Sequence, residues 1–106
     1  RQFEAAFAEV DLIATPTTPG AAFRIGEKTS DPLAMYLSDI FTTPASLAGL
    51  PAIAVPCGSD SSGLPLSLQL MAAPFEEAML LRSARAFERE VAWSVAPQLR
   101  AEPDAA

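Results

Sequence analysis

An α/β fold, a mixed sheet flanked by helices, is the class this sequence predicts, and three observations carry it. An amphipathic helical pattern at the start runs without a break into a short apolar strand. Two further strand patterns stand seven residues apart, across residues 57–63. A long amphipathic helix with an acidic start then follows.

The elements take shape in order. Phe3, Ala6, Phe7 and Val10 recur at i, i+3, i+4 and i+7, with Gln2, Glu4 and Glu9 off that face. Residues 11–16 hold a short continuous apolar run and are closed by Pro16, the pattern of a strand covered on both faces. Residues 17–31 are polar and turn-rich, with Pro19 and Gly20 marking a turn, and read as a solvated loop. Asp31 suits an N-cap and Pro32 the first helical position, so a short helix starts there. Thr43 and Pro44 open a second short helix, and Gly49 suits its C-cap.

Residues 52–55 then read as a buried strand. Leu64, Leu66, Leu68 and Leu70 alternate with Pro65, Ser67, Gln69 and Met71, the period of a strand with one fully apolar face. The connection 57–63 is too short for a parallel crossover, so these two strands are expected to be antiparallel neighbours. The 35 residues from 17 to 51 leave room for a crossover from the first strand, hence the mixed sheet. Pro74 is expected to open the longest helix, with Glu76 and Glu77 in its first turn, a stripe of Leu80, Ala84, Phe87 and Val91 inward, and Arg82, Arg85 and Arg89 on a solvated side. Trp93 is expected to cap the core, and residues 94–106, rich in Ala and Pro, to form a loose tail after one domain at 1–93.

The totals narrow the function. A chain of 106 residues fits one domain, and a chain of this size buries about two-thirds of the surface its unfolded form exposes. It is 50% hydrophobic and 19% charged, which excludes a disordered chain. Seven basic against thirteen acidic residues, net −6, leave no basic footprint for a phosphate backbone. No apolar run approaches the roughly 18 residues that span a bilayer, so no membrane partner is expected. The sequence opens without Met and inside a helical pattern, which reads as a fragment.

The candidate chemistry is short. Histidine is absent, which excludes Ser-His-Asp and Cys-His catalysis and most zinc enzymes. Cys57, the single cysteine, excludes an internal disulfide, is compatible with a reducing compartment, and reads as a buried structural thiol. The loop 59–63 offers hydroxyls but reads equally as an exposed connection. A Ser-Lys mechanism needs a buried lysine, and Lys28 stands between Glu27 and Asp31 in the polar loop. No phosphate-cradling GxGxxG or GxxxxGK[ST] is present. What remains is Asp39, between Leu37 and the pair Ile40 and Phe41, with no basic residue near it in sequence. Such a carboxylate at the edge of an apolar wall can accept a ligand's ammonium group, cap the next turn, or pair with a distant arginine.

The run FRIGEKTSDPLAMYLSDIFTTPASLAGLPAIAVPCG, followed by GLPLSLQLMAAPFEEAMLLRSARAFE, closely resembles the C-terminal part of the amidase-signature family. GEKTSDPLAMYLSDIF points within it to the glutaminase subunits of bacterial and organellar tRNA-dependent amidotransferases. The resemblance implies hydrolysis of glutamine and passage of ammonia to a sister subunit that, with ATP and Mg, amidates Glu-tRNA(Gln) or Asp-tRNA(Asn). Sister B and C subunits are then the expected partners, with tRNA held only through the complex, in the cytoplasm or an organellar matrix. Family members use a Ser-cisSer-Lys triad carried well upstream of this stretch, so no catalytic residue and no metal or cofactor is expected here and the chain alone should be inactive. Asp39 occupies the place in YLSDIF where the family's acid contacts the α-amino group of glutamine. Ser67 and Ala72 stand where relatives are expected to carry glycine. A stand-alone amidase acting on other carboxamides, or a truncated non-catalytic interaction piece, is the alternative.

Overall fold

The computed structural model describes residues 1–93. The elements run α1 (Gln2–Phe7), β1 (Leu12–Pro16), α2 (Pro32–Ser38), α3 (Thr43–Ala48), β2 (Ala52–Ser59), β3 (Pro65–Ala72) and α4 (Glu77–Val91). The expected tail, 94–106, lies outside the described residues.

The sheet has three strands in the order β1-β3-β2. As the short connection required, β3 pairs antiparallel with β2, and it also pairs antiparallel with β1, with Leu12 opposite Ala72 and Ile53 opposite Leu70. The crossover through α2 and α3 carries the chain from one edge to the other, so β1 and β2 run the same way but are separated by β3. Every pairing among the described strands is therefore antiparallel, within an α/β arrangement of sheet and helices.

Register then sorts the side chains. Leu12, Ile53, Val55, Leu68, Leu70 and Ala72 share one face and meet Leu80, Ala84, Met79 and Phe87 of α4. Ala72 is completely buried there, so its methyl group fills core where the family pattern led us to expect glycine. The other face carries Ile13, Thr15, Gln69 and Met71. Gln69 and Met71 are buried, as is Ala45 of α3. The middle strand thus has two covered faces at its C-terminal end, where alternation in sequence suggested one.

Several expectations are corrected. β1 and β2 are not sheathed on both sides: Ala14, Pro16, Ala52, Ala54 and Pro56 are exposed, and Val55 is the buried side chain of β2. The reason is supply: α4 packs against β2 and β3, which leaves Ala14 and Pro16 of β1 exposed on the α4 side of the sheet, and no second long helix among the described residues covers Ala52, Ala54 and Pro56 on the other. Helix α1 ends at Phe7 and Val10 is exposed beyond it. Helix α4 starts at Glu77, not Pro74: Phe75 takes a left-handed φ of 69° that breaks the helix, and Glu76 is the N-cap. Trp93 is half-buried and lies outside the core cluster. On the outer side of α4 Arg85 pairs with Glu88 and Arg82 and Arg89 are exposed, a solvated face.

Between β2 and β3 a bulge at Cys57 lets the ladder continue to Ser59, shortening the expected loop. The Asp60 carboxylate closes that turn, accepting from the backbone N–H groups of Ser62 (2.8 Å) and Leu64 (2.9 Å). The hydroxyl-rich stretch is a hairpin turn. Cys57 is exposed rather than buried, because the bulge sits beyond the part of β2 covered by α4.

Candidate functional site

The site grows from the short helices between β1 and β2. The Asp31 side chain accepts from the N–H groups of Leu33 (3.0 Å) and Ala34 (3.2 Å), and Pro32 contributes no N–H to satisfy. This start sets α2, which runs until Asp39 leaves helical geometry at φ −103°, ψ 9°. The Asp39 carbonyl accepts from the backbone N–H groups of Thr42 (3.2 Å) and Thr43 (3.0 Å), turning the chain into α3. Gly49, at φ 69°, ends α3 in the left-handed conformation that glycine adopts without strain.

Because the main chain of Asp39 makes the turn, its carboxylate is left over. Among the described residues it forms no ion pair and no hydrogen bond. Capping by the side chain and pairing with an arginine, the two bland roles open to it in sequence, are both absent from the described residues. Asp39 is exposed on the wall of a groove of about 300 Å³ formed with Tyr36, Ile40, Thr43, Pro44 and Leu47. Tyr36 and Leu47 are 69% and 83% exposed, so the groove is open and mostly apolar, with one negative group in it. Such an arrangement binds a cation through its charge and the carbon skeleton beside it through the walls.

Two interactions hold this segment in place. Lys28 donates to the Ser38 hydroxyl at 3.2 Å and lies 4.4 Å above the centre of the Phe23 ring. The Ser38 hydroxyl in turn donates to the Ala34 carbonyl at 3.1 Å. The loop expected to be merely solvated is thus clamped to the last turn of α2. Ser38 and Lys28 are not a nucleophile and its base, because the serine proton is directed to Ala34 and away from Lys28. The second interaction is Gln69, whose side-chain amide donates to the Phe41 carbonyl at 2.8 Å and to the Thr15 hydroxyl at 3.0 Å.

Sequence reasoning singled out Asp39 as a candidate and pointed to neither of these two interactions. Lys28 and Ser38 are ten positions apart, and nothing in the local pattern links them. Gln69 carried a signal that was readable in retrospect: a lone amide in a leucine-rich strand that, if central, must be buried and must find partners. Among the described residues no cluster of three or more His, Cys, Asp or Glu side chains could hold a metal, and no helix is long and apolar enough to cross a membrane.

A family model described as Amidase matches residues 1–81. The A subunit of the glutamyl-tRNA(Gln) amidotransferase from Moorella thermoacetica is 61% identical over 89 residues, covering 84% of this chain and 18% of that protein. The crystal structure of the corresponding glutamyl-tRNA(Gln) amidotransferase A subunit from Thermotoga maritima is 46% identical with a TM-score of 0.79, covering 83% of this chain and 19% of that one. A 6-aminohexanoate cyclic dimer hydrolase, solved with substrate, is 30% identical with a TM-score of 0.81, covering 90% of this chain and 22% of that one. The chain spans about a fifth of the length of these relatives. With three-quarters of its residues inside the family match, and with both kinds of solved relative superposing on most of it, the chain belongs to the amidase family.

Proposed function

We propose that this chain forms the C-terminal, substrate-side part of the glutamine-hydrolysing subunit of a tRNA-dependent amidotransferase, and that Asp39 receives the α-ammonium group of glutamine. The observation that carries this reading is the 61% identity to the A subunit of a glutamyl-tRNA(Gln) amidotransferase, over a stretch that includes most of the chain. The unpartnered carboxylate of Asp39 in an open groove supports it, since an acid already paired would have nothing to offer a substrate.

In this reading the groove holds and orients glutamine while the bond-breaking groups come from elsewhere in the intact protein. The described residues offer no activated nucleophile, the contact between Lys28 and Ser38 being a clamp. The chain alone is accordingly expected to be inactive. Released ammonia would pass to a sister subunit that activates the side-chain carboxyl of Glu-tRNA(Gln) or Asp-tRNA(Asn) with ATP and Mg. The B and C subunits would be the partners, in the cytoplasm or an organellar matrix.

The test is Asp39→Ala in the intact protein, joined to its partners. Loss of a charge-assisted contact worth about 1.5–3 kcal/mol should raise KM for glutamine roughly ten- to a hundredfold. Amidation driven by added ammonia should be unchanged. Glutamine use at the wild-type KM would remove Asp39 from the site.

The likeness to 6-aminohexanoate cyclic dimer hydrolase favours a second reading, hydrolysis of other carboxamides without partner subunits. Turnover of simple alkyl or aryl amides by the intact protein alone, with no demand for an ammonium-bearing substrate, would select it.

A further inference from the structure

We propose that Gln69 is a positioning residue for glutamine binding, acting through the turn that carries Asp39; this rests on the reading of Asp39 given above. Among the described residues Gln69 is the buried polar residue, 4% exposed, on the middle strand and on the face away from α4. Its side-chain nitrogen has two protons and both are used, one on the Thr15 hydroxyl of the edge strand β1 and one on the carbonyl of Phe41. Phe41 is two residues past Asp39, in the turn between α2 and α3. A side chain in the rigid centre of the sheet therefore grips the backbone beside the proposed ligand group.

The grip matters because little else supplies one. Helix α2 buries no residue at all, and α3 buries Ala45 alone. The apolar side chains Leu33, Tyr36, Leu37 and Ile40 around Asp39 are exposed, so packing does not fix the segment against the sheet. No backbone N–H reaches the Phe41 carbonyl among the described residues, and without the amide this oxygen, on a half-buried residue, would have no protein partner among them. The second bond, to Thr15, holds the amide in one orientation, so that nitrogen and not oxygen faces Phe41. Losing the amide leaves Asp39 chemically intact but frees the turn on which it stands. A displacement of about 1 Å is enough to weaken a directed contact strongly.

The test uses the intact protein, joined to its partners, with two variants. Gln69→Met keeps length and approximate volume, suits burial, and loses both donors. Gln69→Glu keeps the shape, loses both donors when ionised, and regains one when protonated. Both are expected to raise KM for glutamine about tenfold with kcat within about twofold of wild type, a shift of roughly 1.4 kcal/mol. Ammonia-driven amidation should not change. The KM of Gln69→Glu, relative to wild type at the same pH, should fall back toward one as the medium is acidified, whereas that of Gln69→Met should stay high. Combined with Asp39→Asn, neither variant should raise KM beyond the effect of Asp39→Asn alone.

An unchanged KM in either soluble variant overturns the proposal, as does full additivity with Asp39→Asn or an equal loss of ammonia-driven amidation. Failure of both variants to give a folded protein overturns it too, since Gln69 would then serve the fold as a whole. If Asp39→Asn leaves KM at the wild-type value, the reading of Asp39 fails by itself. If Asp39→Asn raises KM while the Gln69 variants do not, only the positioning role of Gln69 fails.

Discussion

At the scale of single residues, the segment around Asp39 shows one chain using the same residue type for opposite purposes. Asp31 and Asp60 spend their carboxylates on neighbouring backbone N–H groups and so make structure. Asp39 makes its turn with the carbonyl and keeps the carboxylate open. The difference is testable. Asp31→Ala should cost about 1 kcal/mol at the start of α2. Amide hydrogen exchange at Leu33 and Ala34 should quicken while the strands stay protected, and unchanged exchange there would show that the cap is not what holds the helix. Asp39→Ala removes no bond found among the described residues, so its predicted effect is on glutamine use and not on melting.

At the scale of elements, β3 and α4 supply most of the buried cluster. Leu70 and Ala72 from β3, Val55 from β2, and Leu80 and Ala84 from α4 make the buried cluster. Leu80, 3% exposed, enters it from the helix. Leu80→Ala should destabilise by about 2–4 kcal/mol through lost burial and the cavity left behind. A thermal melt of the intact protein should show a clear drop, and an unshifted melt would mean that α4 is not seated as described. Helices α1 and α2, by contrast, bury no residue, and α2 holds its place through the Asp31 cap, the Lys28 clamp and, just past its end, the Gln69 bond to Phe41. The proposed binding segment is thus drawn from weakly packed structure tied to a firm sheet.

At the scale of the whole molecule, the described surface exposes several large apolar side chains on a chain of net charge −6. Ile25, Phe75 and Leu47 are 106%, 93% and 83% exposed, and the outer edges of β1 and β2 have no strand beside them among the described residues. Pro16 and Pro56, one on each edge strand, blunt those edges only in part. The isolated chain should therefore associate or precipitate at micromolar concentration. A monodisperse monomer with a sharp cooperative melt, seen by light scattering and calorimetry, would contradict this.

What the sequence determined by itself is local. The cap at Asp31, the proline start of α2, the glycine end of α3, the antiparallel pairing of β2 with β3 and the inward stripe of α4 all depend on residues within a few positions of one another or on a short connection. Asp39 was legible as a lone acid among apolar neighbours for the same reason. Tertiary structure decided what depends on distant partners. It placed β3 between β1 and β2, which buried Gln69 and left Ala14 and Pro16 of one edge strand and Ala52 and Ala54 of the other exposed where an apolar run had suggested two covered sides. It set Cys57 on a bulge outside the core and brought Lys28 onto Phe23 and Ser38. Above all it joined Gln69 to Phe41 across 28 positions, a contact that exists only because the crossover lays the turn after Asp39 against the middle of the sheet.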